Sequence, residues 1–267
     1  MRRLARLALA LAAAGLSVLP LALIVKQAVT PARESLAWPP TWLPATLTAE
    51  NFRAASATVE LGRGFALSAS VALATVAVTL AVALPAAWVA ARRPAVDRAL
   101  DGTLVVTRLF PSLALAVPLG ALFVRLGLYN HPAGLGLLLA HVLLGLPFAF
   151  FVLRAGFRSV PPELEEAARL DGAGPLGAFL RVTLPLIRPA LAAAALLVFL
   201  VSWDEFAYAL LLQVTHRPLP PLLYYLSAFG YPGLASAVAA IMLVPALLIV
   251  LVLEPALRSG VLAGSGR

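Results

Sequence analysis

At 267 residues, 62% hydrophobic and only 12% charged, the chain cannot hold most of its length in water. Its apolar residues gather in runs of about 20, enough to cross roughly 30 Å of hydrocarbon as helix and twice the length of a barrel strand. The net charge of +8 is spread along the chain instead of forming one stripe, which argues for membrane topology over nucleic acid, and the absence of cysteine excludes disulfides, thiolate metal sites and cysteine nucleophiles.

Arg2, Arg3 and Arg6 precede an apolar run from about Leu7 to Val25 that has the outline of a secretory signal. The run is longer than a signal core and no clean small-residue cleavage site follows, so it is read as a retained anchor helix over about 7–28. Five more spans follow at about 65–90, 103–124, 134–156, 190–213 and 233–255. The expected fold is all-α, a polytopic membrane protein of about six transmembrane helices, one domain over 1–267 with its core bundle at about 65–255. A cytoplasmic N-terminus leaves Arg92, Arg93, Arg98, Arg154, Arg158, Arg169, Arg181, Arg188, Arg258 and Arg267 inside with the first three arginines. The outer side then holds Lys26, Arg33, Arg53, Arg63, Arg125 and Arg217, the bias that insertion produces, and an even span count puts both termini in the cytoplasm.

Two connections are too long to be turns. The outer one, about 29–64, carries Trp38, Pro39, Pro40, Trp42 and Pro44, a rigid aromatic segment suited to an interfacial anchor or a docking surface. Inside, about 157–189, the spacing predicts a helix-turn-helix. Ser159 can cap the first helix, Pro161 and Pro162 fit its first turn, and Glu163, Glu165 and Glu166 favour the positive end of its dipole. Gly172 permits a sharp reversal after Asp171. A second helix begins at Pro175 and is expected to stop near Thr183, because Pro185 lacks a donor, and Pro189 starts the fifth span. Leu164, Ala167 and Ala168 share one face, and the two alanines let another backbone approach closely between Glu163 and Glu166. Such a helix fits a cleft of a soluble partner; the plainer reading is a loop that merely stays soluble.

Within the spans, a continuous fifth helix puts Asp204 and Glu205 about 20 Å along it, beyond the midplane, where an ionised side chain costs about 2.5–3.5 kcal/mol if it faces lipid. They form either a polar wall of a translocation path, with Trp203 or Phe206 as an aromatic face beside it, or a structural pair bonded to neighbouring helices. Arg108 lies within snorkelling reach of the headgroups, His141 reads as a helix contact, and His131, His141 and His216 have no metal-site spacing. Pro85, Pro111, Pro118, Pro147 and Pro245 are expected to kink or open spans.

Glu166-Ala167-Ala168, then Gly172, then Val182-Thr183-Leu184-Pro185 resembles the EAA loop of binding-protein-dependent ABC importer permeases, with Val182 where isoleucine is usual. The resemblance extends to Thr48-Ala49-Glu50-Asn51-Phe52, to Ala86-Ala87-Trp88-Val89-Ala90-Ala91-Arg92, and to Gly127-Leu128-Tyr129-Asn130. It continues through Ser202-Trp203-Asp204-Glu205-Phe206, with aspartate where asparagine is common, and Gly260-Val261-Leu262-Ala263-Gly264, and is nearest to carbohydrate permeases of the maltose type. It implies an ATPase-coupling loop using Glu163, Glu166, Ala167, Ala168, Asp171, Gly172, Leu184 and Pro185. It also implies a second permease subunit, two cytoplasmic ABC ATPase subunits and an extracytoplasmic solute-binding protein, in the bacterial cytoplasmic membrane. The chain has no glycine-rich phosphate loop ending in Lys-Ser or Lys-Thr, so no cofactor is expected in it; ATP and Mg belong to the partner ATPases and the chain itself is not an enzyme. Polyamine or phosphate permeases share the loop, whereas an ion-gradient transporter leaves it unexplained and an intramembrane enzyme lacks a Ser-His or paired-aspartate arrangement.

Overall fold

The computed structural model describes residues 2–264; Arg267, which charge bias assigns to the inner side, lies outside them. The described residues form helices: α1 (Arg2–Ala28), α2 (Ala32–Ser35), α3 (Glu50–Ala57), α4 (Val59–Arg92), α5 (Pro94–Leu109), α6 (Ser112–Arg125), α7 (Leu135–Arg158) and α8 (Pro162–Leu170). There follow α9 (Pro175–Ala178), a π-helical segment (Phe179–Thr183), α10 (Leu184–Leu186), α11 (Arg188–Trp203), α12 (Ala207–Leu212), α13 (Leu219–Ala228) and α14 (Pro232–Gly264). Among the described residues, four stretches, Arg6–Ala28, Val59–Arg92, Leu135–Arg158 and Pro232–Leu257, are long and apolar enough to cross a membrane, and two bent helix pairs make up to six if each pair counts as one span.

Two of the expected spans are not single helices. Where 103–124 reads as one crossing, α5 and α6 meet at 98°. Pro111 offers no N–H, and its ring drives Phe110 out of helical geometry to φ −91°, ψ 126°. Pro85, Pro118 and Pro147 lie inside continuous helices, as does Pro245 within α14, so of these prolines Pro111 alone opens a span. Where 190–213 reads as continuous, α11 stops at Trp203 and α12 resumes at Ala207, which corrects the straight-helix placement of Asp204 and Glu205.

The chain divides into two compact units. One comprises the residues up to Phe65 with Leu219–Pro245. In it Asn51 Nδ2 donates to the carbonyls of Ala28 (2.9 Å) and Thr30 (3.0 Å), fastening α3 to the end of α1. The Thr48 hydroxyl accepts the Glu50 N–H at 3.1 Å and starts α3. Gly233 lets α14 close on this joint, because a Cβ there would sit 2.7 Å from Asn51 Oδ1.

The second unit comprises Ala66–Pro218 and the residues from Ala246. One core cluster joins Ala83, Ala87 and Ala90 of α4 to Phe150, Leu153 and Phe157 of α7 and to Ile187, Ala194 and Val198 around α11. Another joins Leu67 and Val71 of α4, Phe123 of α6, Leu137 of α7, and Tyr208 and Leu212 of α12. With hydrocarbon on the outside there is no hydrophobic drive between helices, so close packing and hydrogen bonds hold them. Arg154 of α7 donates to Asp97 (2.6 Å) and Asp101 (2.7 Å) of α5, and Arg158 donates to Asp97 at 2.5 Å. Arg108 lies 3.8 Å over the Phe148 ring, a cation–π contact joining the same two helices.

Candidate functional site

The loop between α7 and α11 folds as two short helices, with two local corrections. Ser159 does not cap α8; it ends α7, its hydroxyl donating to the Gly156 carbonyl at 2.8 Å, while Pro161 occupies the position before α8 and Pro162 its first residue. Nor does the second helix stop at Thr183. It runs on through Pro185 to Leu186, because a π turn, in which the Leu184 N–H reaches the Phe179 carbonyl five residues back, passes the proline without a break. α8 itself ends as expected. Ala173 N–H bonds to the Ala168 carbonyl and Gly172 N–H to the Arg169 carbonyl, both at 3.0 Å, with Gly172 at φ +88°, where a side chain is strained.

Glu163, Glu166, Ala167 and Asp171 are exposed, Ala168 is half-buried, and Leu164 and Leu170 add exposed apolar surface to α8. Leu184 and Pro185 are half-buried, and Leu184 packs on the cluster that contains Phe157 and Val160. The loop thus separates an outward surface from an inward one.

Sequence spacing misses the residue that joins them to the bundle. Glu165 is 5% exposed. Its Oε1 accepts from Arg92 Nη2 at 2.6 Å, Thr183 Oγ1 at 2.8 Å and Trp88 Nε1 at 3.3 Å, and Arg92 Nη1 donates to the Phe157 carbonyl at 3.0 Å. A readable signal exists in Trp88 and Arg92, two donors one helical turn apart at the end of a span, but their partner is not legible. Beside this junction a polar cleft of about 280 Å³ is lined by Val89, Arg93, Glu166 and Arg169 among others.

Desolvation pushes the Glu165 carboxyl up, but the hydrogen bonds from Thr183, Trp88 and Arg92, with the Arg92 charge, outweigh it and hold the pKa below the ordinary 4.5. A group depressed in the folded state stabilises it fully above its unfolded pKa and ceases to do so only as pH falls through the folded value. Protection of the loop against proteolysis is therefore expected to stay flat from neutrality down to about pH 5. A drop between about pH 7 and 6 would contradict the ionised, bonded state of Glu165.

At the break in the fifth span, Glu205 is buried and caps α12: Ala207 N–H donates to Oε1 at 3.0 Å, and Tyr208 and Ala209 N–H donate to Oε2 at 2.8 and 3.1 Å. His141 stands against it, Nδ1 2.7 Å from Ser202 Oγ and Nε2 3.6 Å from Glu205 Oε2. Trp203 is buried and stacked on Phe199, with centroids 5.6 Å apart, while Asp204 and Phe206 are exposed. The four residues grouped by sequence therefore divide into an inward pair and an outward pair. On the far side of α12, Asn130, at φ 51° in the Gly127–Asn130 turn, accepts the Thr215 N–H at 2.9 Å and donates its own N–H to the Leu212 carbonyl at 3.0 Å.

Residues 80–261 match the family described as binding-protein-dependent transport system inner membrane component. The chain is 40% identical to the ABC transporter permease reading frame ORF1 of Streptomyces antibioticus, over 84% of this chain and 99% of that one. It is 30% identical to the trehalose transport system permease protein SugB of Mycobacterium tuberculosis, over 84% and 83% of the two chains. It is 32% identical to the sulfoquinovosyl glycerol transport system permease protein SmoH of Agrobacterium fabrum, over 85% and 80%. Its fold is similar to a chain of a bacterial ABC transporter involved in the import of the acidic polysaccharide alginate, with a TM-score of 0.75 at 20% identity over 94% of this chain and 95% of that one.

Proposed function

Because the chain belongs to the family of binding-protein-dependent transport system inner membrane components, we propose that it is the permease subunit through which an ATP-driven bacterial importer passes a sugar or sugar conjugate. The observation that carries the coupling role is the exposed acid-flanked face of α8, Glu163, Glu166 and Ala167, ended by the Gly172 reversal and held from beneath by Glu165. A small-faced helix of this kind fits a groove of a soluble ATPase subunit. On this reading the loop faces the cytoplasm and both termini lie there. The complex contains a second permease subunit, two ATPase subunits that bind ATP and Mg, and an extracytoplasmic solute-binding protein, and this chain performs no chemistry. ATP-driven closure of the ATPases moves the loop and biases the bundle toward its outward-open state, while the loaded binding protein biases it the same way from outside.

The test is co-purification with the ATPase subunit and ATP-driven uptake in vesicles, comparing the parent chain with Glu166→Lys and Gly172→Pro. Reversing the charge removes the acidic flank, and proline cannot adopt φ +88°. Both variants are expected to insert normally and to lose ATPase association or coupled uptake. Full uptake by both would exclude the coupling role. The solute class is read separately, by titrating the cognate binding protein with trehalose, other α-glucosides, diacetylchitobiose, a polyamine and phosphate. Saccharide binding is expected, and a response to polyamine or phosphate alone would overturn it.

A further inference from the structure

A helix pushed by a partner moves only what it is fastened to. The backbone fastens α8 to α7 through Ser159–Pro161 and to α11 through the Gly172–Gly174 turn, the π segment and α10, but it makes no short connection to α4. Among the described residues, the side-chain hydrogen bonds from α8 to α4 converge on one carboxylate. On Glu165 Oε1, donors converge from α4 (Trp88 and Arg92) and from the π segment (Thr183). Arg92 extends the tie to the end of α7 through the Phe157 carbonyl. Beneath the carboxylate, Phe179 meets the Trp88 ring edge-on at 5.5 Å and Phe157 at 6.1 Å, so the polar tie lies on an aromatic floor built from the same elements.

We propose that Glu165 is a positioning residue that makes the loop and the end of α4 one rigid body, so that displacement of α8 reaches α4 directly and not only through the chain into α7 and α11. The inference rests on the coupling reading above and adds to it the element that receives the motion. A buried charge pair is weak as a source of net stability, but breaking one partner leaves the other uncompensated, so it serves well as a joint with one defined geometry.

The natural chain has no cysteine, so Arg93→Cys, the residue just after α4, and Leu176→Cys on α9, both exposed positions, can carry a spin-label pair in the assembled importer with cysteine-free ATPase subunits. With Glu165 present, one narrow distance distribution is expected, identical without nucleotide and with ATP and vanadate. Glu165→Ala, which removes the acceptor of all three donors, is expected to broaden it and make it depend on nucleotide, while the ATPase subunits still co-purify. Arg92→Gln should reproduce the defect, and the double variant should be no worse than either single one, because both remove the same joint. Thr183→Val, which deletes one of the donors, gives a milder perturbation and should broaden the distribution less.

A parent distance that changes with nucleotide would overturn the proposal, as would an undisturbed distribution in Glu165→Ala. So would loss of ATPase association in Glu165→Ala alone, which would make Glu165 a docking contact. Failure of the parent complex to bring down any ATPase would instead sink the coupling role itself.

Discussion

Glu205→Ala is expected to destabilise the helical bundle by about 3 kcal/mol or more, from the loss of three hydrogen bonds, two buried and one half-buried, at roughly 1–3 kcal/mol for each donor left unsatisfied. The N–H groups of Ala207, Tyr208 and Ala209 all end on its carboxylate. In hydrocarbon there is no water to replace that acceptor, and α12 spans only six residues, so it has few other hydrogen bonds with which to persist. The carboxylate oxygen 3.6 Å from His141 Nε2 is removed as well. Glu205→Gln is the informative partner: its one amide oxygen can still accept from Tyr208 and Ala209 while its NH2 faces the Ala207 N–H, so it should retain part of the stability that alanine loses. Thermal unfolding of the purified chain in detergent measures both variants. An alanine variant within about 1 kcal/mol of the parent would show that the cap does not hold the broken span.

That cap explains where sequence reading stopped. Span existence is legible because a run of about 20 apolar residues has few other folds available, and the loop is legible because Pro162, Gly172 and Pro175 punctuate it. Breaks inside spans are not, since hydropathy averages over them. Pro111 signals one of the two; the other has no proline or glycine, and is made by Trp203-Asp204-Glu205-Phe206, whose acid reads equally well as a path-lining charge. The same ambiguity hides Glu165. Glu165 and Glu166 are neighbours of identical chemistry, and which one turns inward depends on where α4 ends, a fact of tertiary packing that spacing along α8 does not contain. The π segment is hidden for a related reason: Pro185 forbids an ordinary helical bond, and a five-residue turn satisfies the backbone where a stop is the simpler expectation.

The other large effect is expected at Gly156, where α7 passes α11 just above the loop. A Cβ built there would lie 2.4 Å from the Ala190 Cβ, far inside any non-bonded carbon contact, so even alanine must push the helices apart. In the membrane such small-residue contacts are a main source of helix association, and forcing extra methyls into a packed core costs about 1–3 kcal/mol. Gly156→Val should exceed that range, because a β-branched side chain has few rotamers with which to escape. If the loop couples as proposed, separating α7 from α11 moves the two ends to which it is tethered, and Glu165 then no longer meets Arg92 and Thr183 in register. Uptake should therefore fall more steeply than stability.

A compensating change tests whether the cause is the contact itself. In Gly156→Ala with Ala190→Gly the methyl is merely transferred across the interface, and the pair should recover most of the stability and uptake that Gly156→Ala loses. If the double variant is as impaired as the single one, the damage comes from the α7 backbone and not from its approach to α11. If Gly156→Val is tolerated, the helices are not in close contact at this point at all.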